Sequence, residues 1–485
     1  MKNYSKRNPR GGMIMFKKMY KKMYKKSIAV ILAAALSMSL AACGGKSKDS
    51  DSGSAESVTA AAETGTDEEK SVESAASAEA ETEAESEAKK EAKTVEASTA
   101  SGGALAVTDL FTERDLTQEA DLSDAQTLKL ESGKDTTISA AGVYVITGSA
   151  ENATVIVDAG DDDKVQLVLD GVTITNSDSP AIYVKNADKV FVTTTDSTST
   201  LTVNGTFTAD GDTNTDAVIF SKDDLTLNGE GTLVISSTDN GISGKDDLKI
   251  TGGTIEISCT DAAVEANDSI RIADGIITIN ACNDGLHAEN DDDDSLGYIY
   301  ICGGSLAINA EDDGIHGTTV VQIDGGDLDI IAAEGIEGTY VQVNGGTVDI
   351  SASDDGINAA NKSSAYSIAA EFNGGEVTID MAQGDTDGVD SNGNLIITGG
   401  TVSVNGQSAF DYDGELSWTG GTILVNGEEV TEIESQMFGP GGGMGGPGGG
   451  KFEGEGGREG LPADGQFPEN FDGEMPQKPS ERKQK

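Results

Sequence analysis

From Gly253 onward one phrase recurs about every 22 residues: Gly-x-apolar-x-apolar, a polar stretch, Asp-Asp-Gly-Ile or a close variant, then a second x-apolar-x-apolar. A period that short, built from β-alternation and turn residues with no helical segment, confines the chain to short stacked windings. The first strand supplies Ile255/Ile257, Ile277/Ile279, Leu306/Ile308, Leu328/Ile330, Val348/Ile350, Val377/Ile379, Val402/Val404 and Ile423/Val425. The second supplies Leu248/Ile250, Ile270/Ile272, Ile299/Ile301, Val321/Ile323, Val341/Val343, Leu395/Ile397 and Leu416/Trp418. Alternation puts each pair on one face, so both strands point into one core.

Between the strands runs a column of small residues: Ala181, Ala217, Gly241, Ala263, Gly285, Gly314, Gly335, Gly356, Gly388 and Ala409. The sequence predicts an all-β fold, a right-handed single-stranded parallel β-helix of about 10 coils of 21–22 residues plus insertions, over residues 105–435. Only Pro180 falls in that region, as expected where nearly every N–H joins a ladder. Two insertions, Glu289 to Ser295 and Asn361 to Ser367, leave at the same corner and predict one projecting rim.

Residues 1–42 hold ten Lys or Arg, no acid, and an apolar run from Ile28 to Ala42, which reads as a signal peptide. Leu40-Ala41-Ala42-Cys43 resembles the lipobox of bacterial lipoproteins, in which the cysteine is acylated; the alternative is a signal peptide cut elsewhere. Residues 43–104 are Ser, Ala, Glu, Thr and Lys with almost no large apolar side chain, a linker that cannot bury a core. Residues 436–485 form a Gly/Pro-rich tail with no expected fold. The expected product is exported and lipid-anchored at the bacterial cell membrane, facing outside, and monomeric. Without residues 1–42 the chain carries 23 basic and 84 acidic residues, a net charge of −61, which excludes nucleic acid as a partner. Cys259, Cys282 and Cys302 are an odd set; Cys259 and Cys282 could meet on neighbouring coils, but the reading preferred is small buried thiols without a disulfide.

Acids cluster at the turn before the small-residue column, at Asp261, Asp284, Asp312, Asp313, Asp354, Asp355 and Asp387, with Glu334 beside them. Two residues after the column come Ser243, Glu265, His287, His316, Glu337, Asn358 and Asp390. Stacked strands put equivalent positions about 4.8 Å apart. Two carboxylates so placed repel by about 1 kcal/mol in water and by about 3 to 4 kcal/mol at an effective dielectric of 20. Asp-Gly and Asn-Gly are ordinary turn dipeptides and could account for the turn acids alone. The second acid beyond the glycine, in Glu265, Glu337 and Asp390, is not required by turn chemistry. Bound Ca2+, which accepts six to eight oxygens in flexible geometry, is therefore the expected cofactor, with Glu289 of the acidic insertion adding to the set.

The lipobox, the acidic tether, coils of the form GGTIEISCTDAAVEAND and GGTVDISASDDGINAAN, and the Gly-Pro-Gly tail together resemble a clostridial-type family of carbohydrate-binding β-helix lipoproteins over roughly residues 105–440. The resemblance implies a pectate-lyase-like fold, bound calcium, and binding of cellulose and acidic plant polysaccharides that does not require cleavage. An anionic protein meets an anionic polymer through bridging divalent ions, so rim calcium would hold polygalacturonate-type uronates. Tyr298, Tyr340 and Tyr366 are candidate sugar platforms, with Lys362 beside them; Phe372 and Trp418 lie in core register.

Catalysis is disfavoured by the sequence. A β-eliminating lyase needs a Lys or Arg base, yet none occurs between Ile272 and Asn361 or between Ser363 and Gly450, leaving Lys362. Asp312, Asp313 and His316 superficially fit an inverting, polygalacturonase-like hydrolase, but a basic substrate clamp is missing. The other alternative is a structural adhesin or spacer stiffened by calcium.

Overall fold

Successive windings hydrogen-bond in register, and the register shows what each repeat contributes. Ile242 pairs with Val264, Leu248 with Ile270 and Ile255 with Ile277, each partner one repeat further along. Three strands therefore complete a circuit, as in Asn240–Gly244, Asp247–Ile250 and Thr254–Ser258. The computed structural model describes residues 105–433 apart from Asp385. The expected signal peptide, Cys43, the linker 43–104 and the tail 436–485 lie outside the described residues.

The all-β expectation holds, but the right-handed single-stranded β-helix is corrected. Among the described residues all 32 strands belong to one hydrogen-bonded sheet closed around a single core, a parallel β-barrel with additional strands rather than a solenoid. The physical cause lies in the small-residue column. Sequence spacing places it between the strands, yet it stands at the start of a strand of its own, which adds a third wall to the sheet. Its inward file is Ile242, Val264, Leu286, Ile315, Ile336, Ile357, Val389 and Phe410, all buried. The glycines there are small for a reason: a Cβ on Gly335 would press on the Gly356 carbonyl oxygen and sit 2.5 Å from Ile350 Cγ2.

The other two inward files match the sequence reading, from Leu248/Ile250 to Leu395/Ile397 and from Ile255/Ile257 to Val402/Val404. Phe372 is fully buried, and Trp418 packs partly buried against the core.

Residues 105–118 run across the outer face of the second strands. A single helical turn, Glu113–Leu116, is capped reciprocally by Thr112 and Asp115. Asp115 is wholly buried between Lys189 (2.6 Å) and Lys249 (3.3 Å). Gln118 donates to the Thr251 carbonyl at 2.9 Å, and Arg271 donates to that of Leu110 at 3.3 Å.

The cysteine expectation is also corrected. Cys259 and Cys282 form a disulfide, with Cα atoms 4.9 Å apart. Ala281 adopts a positive φ of 56° at an irregularity in the ladder, a local departure from the repeat that sequence spacing does not reveal. Cys302 is a free, half-buried thiol.

Candidate functional site

Strand register turns the polar position of each circuit into a continuous file. Ser243 lies beside Glu265, then His287, His316, Glu337, Asn358, Asp390 and Asp411. The file expected from sequence is thus assembled on one edge. Its members pair mainly with one another and with cations, so it is not a row of bare acids.

Glu265 accepts from Asn240 (2.8 Å) and Lys245 (3.0 Å). The rings of His287 and His316 stack with centroids 4.6 Å apart and planes 5° from parallel. His287 lies 3.4 Å from Asp284 through Nδ1 and 3.3 Å from Glu289 through Nε2. His316 Nδ1 faces two carboxylates, Glu337 at 2.7 Å and Asp313 at 2.9 Å. Burial alone would lower its pKa, but the two facing carboxylates push it up to about 9. Lys362 lies 2.7 Å from the other oxygen of Glu337, and Asn358 donates to the same oxygen at 3.2 Å. Burial opposes ionisation of Glu337, yet His316 and Lys362 hold its carboxyl below the usual range.

The C-terminal end of the file differs. Asp390 is pushed up to about 7 by burial and by Asp355, Asp387, Asp411 and Asp413. Burial and neighbouring acids push Asp355 up to about 6, and Glu334 is raised mainly by burial.

Part of the turn acidity is backbone chemistry. Asp284 accepts the Asp313 N–H at 3.1 Å, and Asp355 accepts the Asp387 N–H at 3.1 Å. Each ties one circuit to the next. Asp261, Asp312 and Asp354 are exposed at the same turns.

The two insertions meet and wall one side of the file. Ser363 donates to the Asp294 carbonyl at 2.6 Å, Ser364 to the Asp294 carboxylate at 2.5 Å, and Tyr366 to the Ser295 carbonyl at 3.4 Å. Glu289 and Lys362 thus reach the histidines and Glu337 from that wall.

The aromatic platforms are corrected. Tyr298 and Tyr340 are 3% and 2% exposed, packed with Leu110, Tyr300, Val320 and Ala369 beneath residues 105–111. Tyr366 is half-buried at the margin of that cluster. The covering segment precedes the repeats in sequence, so the repeats alone give no sign of it.

Among the described residues two sets bring three metal-ligating atoms within 4.8 Å of one another: Asp313/His316/Glu337 and Asp246/Asp247/Asp268. Sequence reasoning missed the second, although the Asp pair 246–247 and the Asn-Asp pair 267–268 fall one repeat apart. Asp247 there accepts from Arg271 and Ser269, and Asp268 from Asn290 of the first insertion.

A family model described as carbohydrate-binding domain-containing protein matches residues 132–388, over half of the chain. The chain belongs to this family. That region carries the file from Ser243 to Asn358 and both insertions. A carbohydrate-binding domain-containing protein of Acetivibrio thermocellus is 36% identical over 126 residues, 25% of this chain and 44% of that relative. The match therefore spans less than half of the relative's length. A solved polysaccharide lyase-like protein from C. thermocellum, a gadolinium derivative, is 28% identical, covering 54% of this chain and 97% of its own, with a TM-score of 0.40. Within the carbohydrate-binding domain the file consists of carboxylates, imidazoles and an amide, half-buried at Glu265, His287 and Asn358 and buried at His316 and Glu337, with the exposed Lys362 beside them.

Proposed function

We propose that this domain binds acidic polysaccharide along the file from Glu265 to Asp390, with Ca2+ at its C-terminal end, and does not cleave the polymer. The observation that carries the reading is the division of charge along one edge. The stretch from Glu265 to Glu337 is neutralised within the chain by Lys245, His316 and Lys362. Asp390 instead faces acids, and its carboxyl resists ionisation until near neutrality. Asp390, with Asp355, Asp387, Asp411 and Asp413 as acidic neighbours, would attract the calcium, and the ion would supply positive charge for a uronate carboxylate. The Lys362 ammonium offers donors to hydroxyls and carboxylates further along.

Absence of cleavage is supported by Lys362. Burial lowers and Glu337 raises its pKa, with the rise prevailing, so the amine is held protonated and is a poor base. Export and a lipid anchor would place this surface outside the cell, and a single chain suffices for the site.

Retention on insoluble polygalacturonate, with calcium and with chelator, tests the proposal. Calcium-dependent retention that Asp390→Asn abolishes is expected. Equal retention in chelator, or sustained release of unsaturated or reducing ends, would overturn it.

A further inference from the structure

Two carboxylates converge on one nitrogen at the centre of the file. His316 Nδ1 lies 2.7 Å from Glu337 Oε2 and 2.9 Å from Asp313 Oδ2. A ring nitrogen carries at most one hydrogen, pointing along one direction, so it cannot make a linear bond to both oxygens. A metal ion accepts all three atoms at once. We infer that Asp313, His316 and Glu337 form a site for a divalent transition-metal ion of the zinc class, distinct from the calcium proposed at Asp390.

The donor set selects the class. Calcium takes oxygen ligands, whereas imidazole favours zinc and its neighbours in the first transition row. One nitrogen and two carboxylate oxygens, with a fourth position for water, make a tetrahedral zinc set. Bonds of about 2.0 to 2.1 Å put tetrahedral ligands roughly 3.3 Å apart, so the oxygens need to move out by only about half an ångström. On binding, the Nδ1 lone pair goes to the metal and any proton there leaves to solvent.

The surroundings are built to hold these ligands. Glu337 is 4% exposed, its second oxygen fixed by Lys362 at 2.7 Å and Asn358 at 3.2 Å. The parallel His287 ring backs His316 and fixes its plane. Such outer partners orient ligands without touching the ion.

The test is calorimetric titration of the chain with Zn2+ in millimolar Ca2+, with Co2+ added separately for its visible d–d bands. One saturable site per chain and tetrahedral cobalt bands are expected. His316→Gln and Glu337→Gln should each weaken zinc by more than the roughly 10- to 100-fold that losing an outer partner costs. His287→Gln should fall within that range. Anomalous scattering at the zinc edge from the unaltered protein, expected beside His316 Nδ1, keeps the inference testable if a variant misfolds. Absence of saturable zinc binding, displacement by calcium, indifference to His316→Gln, or an anomalous peak at Asp246/Asp247/Asp268 would overturn it. None of these outcomes bears on calcium-dependent retention, which rests on Asp390.

Discussion

Neutralising Asp115 should release the segment 105–118 while leaving the barrel folded. The carboxylate is wholly buried, 2.6 Å from Lys189 and 3.3 Å from Lys249, whose side chains are 8% and 7% exposed. It also accepts from Thr226 at 3.2 Å and caps Thr112 at 2.9 Å. Asp115→Asn keeps the shape and a cap acceptor but leaves two buried ammonium groups facing a neutral amide. Removing one partner of a buried ion pair costs about 3 to 5 kcal/mol. Opening the segment lets water reach both lysines, so the cost falls on the closed state of this segment alone. At about 1.36 kcal/mol per tenfold, the open fraction should rise by roughly 200- to 5,000-fold. Tryptic cleavage at Arg114, whose guanidinium rests 4.4 Å over the Phe191 ring, reads that fraction when opening is faster than cutting. Adding Lys189→Met and Lys249→Met should restore most of the protection, because apolar replacements of buried pairs are often neutral. Burial alone would raise the Asp115 pKa, but the lysines hold it well below 3.8. Its contribution is therefore complete above the unfolded value and lost as pH falls through the folded one. A cleavage rate within about threefold of the parent, or no rescue by the methionines, would refute the ion-pair account.

Three further outcomes are expected. The Cys259–Cys282 disulfide closes a loop spanning 23 residues, so Cys259→Ser/Cys282→Ser should lower stability by about 3 kcal/mol in urea titration, and peptide mapping without reductant should recover the linked pair. Gly335→Ala forces a methyl against the Gly356 carbonyl and Ile350, and should cost about 1 to 3 kcal/mol, whereas Gly427→Ala, at a position with open space, should cost less despite its φ of 81°. In chelator, Asp390 and Asp355 have folded pKa values raised to about 7 and about 6 by burial and acidic neighbours, so their contribution is full below pH 3.8 and lost as pH rises through those values; the melting temperature should fall from pH 5 to pH 8, and millimolar calcium should remove the fall. Superimposable melts with and without calcium at pH 8 would contradict the calcium reading.

The parts of the fold legible in the sequence are those that obey the repeat. Ile255/Ile257 and Leu248/Ile250 could be assigned inward because alternation with period two has one buried face, and every later circuit repeats it. The third wall is hard to see in the sequence because several of its strands are short and carry glycine at or beside their start, as at Gly241, Gly285 and Gly335, and glycine reads as a turn until the partner strand is known. Its apolar file was nonetheless present, in the Ile that follows each Asp-Asp-Gly. The disulfide and the buried tyrosines depend on departures from the repeat: a positive-φ alanine at 281, and a covering segment encoded before the repeats begin.

The candidate site divides along the same line. The order Glu265, His287, His316, Glu337, Asn358, Asp390 follows from spacing, because register is periodic. Which of those groups remain available does not follow, because their partners come from three different offsets. Asp313 reaches His316 from three residues before it, Lys245 reaches Glu265 from the preceding circuit, and Lys362 reaches Glu337 from an insertion. Counting acids along the repeat therefore overstates the charge of the first half of the file, where each carboxylate has a cation, and understates the singularity of Asp390. A net charge of −61 describes the chain without residues 1–42, but binding chemistry is set by what local pairing leaves, and Asp390 differs from Glu265 and Glu337 in that the neighbours acting on its carboxyl are acids.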